Sequence, residues 1–211
     1  MKIAEIFESI QGEGSRAGLP MMFVRFAGCN LRCSYCDTVY ALENGAVMEP
    51  EAVLKRCLES PWKHTLLTGG EPLLQDAAFE LAASLYKAGS TVVIETNGTI
   101  DISRLPEKAV KVMDIKTPGS GFESKNLYSN INMLGPADDV KFVLTSRDDF
   151  DWAVEMVKSK NLLERCGVLF SPAVPLVAPA ILAAWILESG INIRFNPNVH
   201  RYIWPEQSRG R

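Results

Sequence analysis

The stretch that organises this chain is Ala27-Gly-Cys-Asn-Leu-Arg-Cys-Ser-Tyr-Cys-Asp-Thr38. It carries three cysteines, Cys29, Cys33 and Cys36, with three residues between the first two and two residues between the last two. Thiolate sulfur is the soft ligand that zinc and iron–sulfur clusters select. A loop this short can point its sulfurs at a common centre, so the stretch predicts a metal site.

The number of ligands distinguishes the two kinds of site. A structural zinc needs a fourth ligand at close spacing, and the two histidines of the chain, His64 and His200, lie far from the loop in sequence. Electron-carrying ferredoxins hold their clusters with four cysteines. Three cysteines leave one iron of a four-iron cluster without a protein ligand, which favours a cluster that takes part in a reaction. A zinc site or a chance group of cytosolic thiols is the alternative.

Composition limits the class of protein. The chain has 211 residues, 47% of them hydrophobic, which predicts one domain over residues 1–211 with a sizeable core. The net charge is −3 and no run of Lys or Arg occurs, so we expect no nucleic-acid partner. No apolar run reaches the length of a membrane span, and the start Met-Lys-Ile-Ala-Glu lacks the long apolar core of a signal peptide. Free cysteines fit a reducing, cytoplasmic environment, and Cys57 and Cys166 are expected in the core.

Predicted strands and helices alternate along the whole chain. The predicted strands are 2–10, 21–27, 64–68, 91–95, 110–115, 140–144, 167–170 and 191–195, and the predicted helices are 50–60, 73–88, 149–160 and 178–189. This alternation predicts an α/β fold with a mostly parallel sheet. About six core strands are too few for a closed eight-stranded barrel. We therefore expect a small, open partial (β/α) barrel.

A second motif, Gly69-Gly-Glu-Pro72, directly follows a predicted strand. Its two glycines allow a ligand to approach the backbone closely. Alone, the motif is explained equally well by a tight turn between a strand and a helix. Beside the Cys-x3-Cys-x2-Cys loop, with the aromatic Tyr35 before the third cysteine, it resembles the signature of radical S-adenosylmethionine (SAM) enzymes.

That resemblance implies a [4Fe-4S] cluster on the three loop cysteines. The open iron would be chelated by the amino and carboxylate groups of SAM, and a flavodoxin- or ferredoxin-like protein would donate the electron. Cofactor contacts are then expected from residues that follow the strands: Gly69, Gly70, Glu71, Glu95, Asn97, Asp114, Ile115, Lys116 and Ser171. An Asn-Gly turn at Asn97 and a charged strand end at Asp114 are the alternatives.

Five motifs together point to one branch of the superfamily. They are Ser9-Ile-Gln-Gly-Glu-Gly14, Cys36-Asp-Thr38, Thr68-Gly-Gly-Glu71, Asp114-Ile-Lys-Thr-Pro-Gly-Ser-Gly121 and His200-Arg-Tyr-Ile-Trp204. In this order they resemble the 7-carboxy-7-deazaguanine synthase family. The resemblance implies a Mg²⁺-dependent homodimer for 7-deazapurine (queuosine-type) biosynthesis. Its 5′-deoxyadenosyl radical takes a hydrogen from 6-carboxy-5,6,7,8-tetrahydropterin, whose ring contracts with loss of ammonia, and SAM is regenerated.

The same resemblance assigns residues to the pterin substrate and to Mg²⁺. The substrate contacts are Ile10, Gln11, Gly12, Glu13, Arg25, Thr68 and His200. Gln11 and Glu13 offer the donor and acceptor groups that a pterin edge needs, and the planar fork of Arg25 suits a carboxylate. Thr38 offers Mg²⁺ one neutral oxygen, since this ion keeps most of its waters.

Each of these assignments has a structural alternative. The first loop can be an exposed hairpin, Arg25 can form a structural ion pair, Thr38 can cap a loop, and His200 can lie on the surface. Asn198 stands where the family resemblance leads us to expect Gln, which shortens any hydrogen-bonding arm there. The role of the polar tail, residues 205–211, is left open.

Two other functions share part of this pattern. A glycyl-radical activase would have the cysteine loop and the Gly69–Pro72 motif, but it has no reason for Gln-Gly-Glu-Gly. A non-catalytic metal or electron-transfer module would need a fourth protein ligand and would not bind SAM.

Overall fold

One sheet organises the chain in the computed structural model, which describes residues 1–205 and 209–210. Residues 206–208 and Arg211 lie outside the described residues. They belong to the polar tail whose role the sequence leaves open. In chain order the strands are β1 (Lys2–Ile10), β2 (Pro20–Phe26), β3 (Ala46–Val47), β4 (His64–Gly69), β5 (Thr91–Thr96), β6 (Val110–Asp114), β7 (Asp139–Leu144), β8 (Gly167–Pro172) and β9 (Arg194–Phe195).

The spatial order of the strands is β3-β1-β2-β4-β5-β6-β7-β8-β9. Strand β1 is antiparallel to β2 and to β3, and every pair from β2 to β9 is parallel. Because β3 and β9 end the sheet without pairing to each other, it does not close into a barrel. The expected open, mostly parallel α/β sheet is confirmed.

In the part of the chain that the structure describes, five α-helices connect or follow these strands. They are α1 (Pro50–Leu58), α2 (Asp76–Lys87), α3 (Arg147–Ser159), α4 (Pro179–Ser189) and α5 (Val199–Ile203). Proline in the first turn of α1 and α4 provides a backbone already suited to a helix start. At the start of α3, the Ser146 hydroxyl accepts a hydrogen bond from the Asp149 backbone N–H at 3.1 Å. No helix of the described residues has both the length and the apolar character that crossing a membrane requires.

The two faces of the sheet have different environments because side chains alternate along a strand. On β2, Met22, Val24 and Phe26 belong to the large core that helices α1 to α4 cover. The large core also contains Phe142 and Phe170, whose ring centroids lie 5.3 Å apart in an edge-to-face arrangement. Cys57 and Cys166 are buried there, as predicted.

The opposite face carries a smaller apolar cluster, which includes Met21 and Phe23 of β2 and Leu66 of β4. These residues lie toward the amino ends of the parallel strands, and the next positions on the same face are polar. The smaller cluster therefore forms the floor beneath a polar region at the carboxyl ends of the strands.

Most predicted bounds agree with the observed ones to within two residues, and larger differences occur in the following places. The predicted helix 73–88 begins as a 3₁₀ turn over Pro72–Leu74, and α2 starts only at Asp76, because Gln75 between them is extended. The predicted strand 191–195 is reduced to two paired residues, Arg194–Phe195. Strand β3 and helix α5 were not predicted, since segments of two and five residues show no readable periodicity.

We predict that Gly69→Ala destabilises the protein far more than Gly89→Ala. Both glycines have positive φ, +140° and +88°, so each substitution strains the backbone by about 1–2 kcal/mol. A Cβ on Gly69 would also lie 2.2 Å from the Phe26 carbonyl oxygen, whereas nothing lies within 4 Å at Gly89. We expect Gly69→Ala to lower the free energy of unfolding by about 3 kcal/mol or more in urea titrations. Equal losses in the two variants would contradict the packing described here.

Candidate active site

A cavity lies at the carboxyl ends of the parallel strands, on the face opposite the large core. The register of the sheet brings one polar side chain from each of six neighbouring strands, β2, β4, β5, β6, β7 and β8, to its wall: Arg25, Thr68, Glu95, Asp114, Lys141 and Ser171. The cysteine loop after β2, the loop after β1 and helix α5 complete the wall. Parallel α/β sheets bind ligands at this edge.

The cysteine loop is fixed to the sheet by backbone hydrogen bonds. Gly28, with φ +98°, donates to the Ala41 carbonyl at 2.8 Å and accepts from the Glu71 N–H at 2.9 Å. A turn joins the second and third cysteines, since the Cys36 N–H donates to the Cys33 carbonyl at 3.2 Å. These bonds hold the loop against the glycine turn that follows β4.

The donor set of the loop fits an iron–sulfur cluster. Cys29, Cys33 and Cys36 are free, half-buried and line the cavity. Burial raises the pKa of the Cys33 and Cys36 thiols, so binding of iron would release protons from them. Together the three thiols provide the protein ligands of a cluster with one open iron.

The Gly69-Gly70 turn lies directly against the cysteine loop. A Cβ on Gly70 would lie 2.2 Å from the Gly28 carbonyl oxygen and 2.8 Å from the Cys29 Cβ. The cysteine loop therefore leaves no room for a side chain at position 70. The missing side chain also leaves the Gly70 backbone open to the cavity.

Two residues predicted to contact the cofactor have side chains outside the cavity. Glu71 is completely buried. Its carboxylate accepts hydrogen bonds from the Leu73 N–H, the Asn97 N–H and the Thr96 hydroxyl at 3.0, 2.6 and 2.9 Å. Burial raises the pKa of Glu71 to about 7. Ile115 belongs to the large core. The physical reason is the same for both: their positions point the side chains into the interior, leaving only backbone groups for a ligand.

The other predicted contacts line the cavity, and several are already bonded to one another. The Gln11 amide and the Thr68 hydroxyl donate to the two carboxylate oxygens of Glu95 at 3.0 and 2.8 Å. Asn97 donates to the Asn30 side chain at 2.9 Å, which ties the end of β5 to the cysteine loop. The loop after β1 is indeed part of a hairpin between β1 and β2, but Gln11 is buried rather than exposed.

Four charges form a row across the cavity wall. Lys116 Nζ lies 2.6 Å from Asp114 Oδ2, and Lys141 Nζ lies 3.2 Å from Asp114 Oδ1 and 2.5 Å from Glu13 Oε2. Burial opposes ionisation of Asp114, but the two lysines hold its pKa below the ordinary value. Burial raises the pKa of Glu13, and Lys141 counteracts that rise.

Helix α5 closes one side of the cavity. The Val199 N–H donates to the Gly12 carbonyl at 3.0 Å, and the Asn198 amide donates to Glu13 Oε1 at 2.9 Å. The half-buried His200 ring occupies the space beside Gly12, where a Cβ would lie 2.2 Å from its Nδ1. Gly12 is therefore needed to seat His200, and the shorter side chain of Asn198 still reaches the loop.

Arg25 and Thr38 have protein partners as well as cavity positions. Arg25 Nε donates to Glu5 Oε1 at 2.7 Å, the ion pair that was its structural alternative, and the guanidinium stacks on Phe7 at 5.6 Å. The Thr38 hydroxyl donates to Asp37 Oδ1 at 2.9 Å. Both side chains still line the cavity.

Sequence reasoning missed three charged residues of the cavity wall: Asp37, Lys141 and Arg201. Lys141 had a signal, because it is a charge inside the apolar strand Val-Lys-Phe-Val-Leu. Arg201 and Asp37 form an ion pair at 3.1 Å between α5 and the cysteine loop. Nothing in their sequence positions, 164 residues apart, indicated that contact.

Comparison with known proteins identifies this class of site. Residues 23–160 match the model of the radical SAM superfamily. The crystal structure of QueE from Escherichia coli has the same fold, with a TM-score of 0.72, 22% identity, and coverage of 93% of this chain and 92% of that one. The fold, the cysteine loop and the glycine turn thus define a member of the radical SAM superfamily.

Curated relatives narrow the assignment further. The 7-carboxy-7-deazaguanine synthase of Chlorobaculum tepidum is 37% identical over 100% of this chain and 97% of its own length. The synthase of Methanospirillum hungatei is 41% identical, over 96% of this chain and 85% of its own length. This chain belongs to the 7-carboxy-7-deazaguanine synthase family, which confirms the resemblance found in the five motifs. The activase alternative is not favoured.

We predict that only the loop cysteines are required for cluster binding. Anaerobically reconstituted protein should contain four irons and four sulfides per chain. Cys29→Ala, Cys33→Ala and Cys36→Ala should each lose most of that content, because each removes one of three thiolate ligands. Iron and sulfide assays check this result.

Cys57→Ala and Cys166→Ala are the matched controls, since both thiols are buried in the large core. They should retain the full cluster, with only the modest loss of stability that a small core deletion causes. Full iron content in any loop variant would refute the ligand assignment.

Proposed function

We propose that this chain converts 6-carboxy-5,6,7,8-tetrahydropterin to 7-carboxy-7-deazaguanine with loss of ammonia. The observation that carries the proposal is that one cavity unites the cysteine loop, the Gly69-Gly70 turn and the Gln-Gly-Glu-Gly loop. A cluster site, a SAM site and a polar site for a heterocycle are thereby adjacent. Membership of the family supports the same reaction.

Cys29, Cys33 and Cys36 would hold the [4Fe-4S] cluster, with SAM beside it. When bound and reduced, the pair supplies a 5′-deoxyadenosyl radical. SAM would lie along the backbone of Gly69–Glu71 and reach Glu95, Asn97, Asp114, Lys116 and Ser171, which line the cavity. Because Gly69 and Gly70 have no side chains, the amino and carboxylate groups of SAM can approach their backbone N–H and C=O groups closely. For Ile115, the proposal is limited to its backbone.

The pterin would lie between Gln11, Glu13 and Thr68. Carboxylates accept hydrogen bonds and amides both donate and accept, which matches the edge of a pterin ring. Arg25 uses Nε for Glu5, and its planar fork carries two further nitrogens with N–H groups for the substrate carboxylate. These residues hold the substrate so that one C–H bond faces the radical, and a shift of about 1 Å costs about 100-fold in rate.

Anaerobic turnover tests the proposal directly. The reconstituted protein, SAM, dithionite and carboxytetrahydropterin should give the ultraviolet absorbance and mass of the deazapurine, with SAM used catalytically. Cys33→Ala, which lacks a cluster ligand, should give none. Cleavage of SAM by the wild-type protein without consumption of the pterin would overturn the proposed substrate.

Two partners belong to this proposal. A flavodoxin- or ferredoxin-like protein would donate the electron in the cytoplasm, where the free thiols stay reduced.

A second copy of the chain would complete a homodimer. Exposed apolar side chains on and before α4, Leu176, Ile181 and Leu187, support such a contact. Sedimentation of the holoenzyme tests this contact: a mass near twice the 23.3 kDa of one chain supports the homodimer, and a purely monomeric species would refute it.

We also propose that Mg²⁺ binds at Thr38 together with oxygens of the substrate. The Thr38 side chain lines the cavity two residues after the last cluster cysteine. Mg²⁺ takes few protein ligands and retains waters, so a single hydroxyl is enough on the protein side. The ion would join the substrate carboxylate to the protein and fix the position of the ring.

We predict that Thr38→Ala abolishes stimulation by Mg²⁺ and lowers turnover about 100-fold. SAM affinity and cluster content should remain, because in the described part of the chain the hydroxyl donates to Asp37 and not to a loop cysteine. Thr38→Ser keeps the oxygen and should retain much of the stimulation. Turnover measured against added Mg²⁺ compares the three proteins. If wild type and Thr38→Ala respond equally, the metal binds elsewhere.

A further inference from the structure

Lys141 joins two carboxylates that come from distant parts of the sequence. It stands on β7 directly opposite Asp114 of β6 in the parallel register, with its Nζ 3.2 Å from Asp114 Oδ1. The same nitrogen lies 2.5 Å from Oε2 of Glu13, which belongs to the loop after β1, 128 residues away. One ammonium group therefore connects that loop to the far strands of the sheet.

The two carboxylates depend on Lys141 to different extents. Asp114 keeps a second cation, because Lys116 Nζ lies 2.6 Å from its other oxygen. Within residues 1–205 and 209–210, Lys141 is the one cation in contact with Glu13, whose other oxygen accepts from the neutral Asn198 amide at 2.9 Å. A buried carboxylate that loses its cation takes up a proton or moves. Loss of Lys141 must therefore affect Glu13 more than Asp114.

We propose that Lys141 is a positioning residue that sets Glu13 against Asp114, and so fixes the separation of the pterin from SAM. This rests on the proposed function, in which Glu13 faces the pterin and Asp114 faces SAM. Lys141 acts through the two carboxylates. Its role is to keep the pterin at a fixed position relative to SAM, from which the radical is formed, while both ligands are bound.

The test compares Lys141→Met with Lys141→Arg and with a matched control, Lys111→Met. Methionine has similar length without the charge, and arginine restores the charge. Lys111 is also a buried lysine in an ion pair, 3.1 Å from Asp138 Oδ2. It neighbours residues of the large core on β6 and does not line the cavity. Lys111→Met thus removes a comparable buried ion pair away from the site.

In the holoenzyme, Lys141→Met should raise the KM for the pterin by about 10- to 100-fold. It should also increase the amount of free 5′-deoxyadenosine formed per deazapurine, because a displaced substrate no longer intercepts the radical. Lys141→Arg should restore both values to within a few-fold of wild type. Lys111→Met should leave the KM and this ratio unchanged, even if its urea midpoint falls as far as that of Lys141→Met.

Binding measurements supply a readout that does not depend on turnover. In wild type, SAM and the pterin held by one network should strengthen each other's binding by a common factor. Lys141→Met should reduce that factor toward one, while the affinity for SAM alone changes less than a few-fold, because Lys116 still holds Asp114. Titration calorimetry of the anaerobic holoenzyme measures these quantities.

Two results would overturn the positioning role: an unchanged KM and coupling factor in folded Lys141→Met, or the same changes in Lys111→Met. Failure of the proposed function is a different outcome. In that case wild type would neither bind nor consume the pterin, whatever the residue at position 141.

Discussion

The contact between two backbone segments, Phe26–Gly28 and Gly69–Glu71, is the constraint on which the site depends. The Gly70 N–H donates to the Phe26 carbonyl at 3.2 Å, and the Glu71 N–H donates to the Gly28 carbonyl at 2.9 Å. The approach is close enough that a Cβ on Gly69 or on Gly70 would overlap backbone atoms of the other segment. As a result, the loop that would hold a cluster and the turn that would hold SAM form one rigid corner, stabilised from beneath by the buried carboxylate of Glu71.

The rest of the site follows from the parallel sheet. Alternate residues of neighbouring strands share a face, so one polar position at the end of each strand is enough to build a continuous wall. Buried ion pairs such as Lys141–Glu13 add little net stability, because desolvation opposes their attraction. Their effect is on geometry, because each charge holds a side chain of a neighbouring strand or loop in one position. In this protein the smaller apolar cluster stabilises the sheet beneath the cavity, and the charged residues of the cavity wall fix the positions of its side chains.

Much of this could be predicted from the sequence. The strands and helices had clear periodicities, and the cysteine loop and the glycine turn are local motifs whose spacing carries their chemistry. Two kinds of information were absent. Glu71 and Ile115 belonged to the right motifs, but a motif does not say which residues point inward. Lys141 and Arg201 reach the cavity through long-range pairing, with Glu13 and Asp37 respectively, and a single sequence does not record such contacts.

The closure of the cavity by α5 has a consequence for the order in which the site is made. Val199 and Arg201 contact the loops at Gly12 and Asp37, yet they follow every strand of the sheet in the chain. During synthesis the cysteine loop and the first substrate loop emerge long before the helix that covers them. The helix that closes this side of the cavity is therefore the last part of the site to be synthesised, after both of the loops that it contacts.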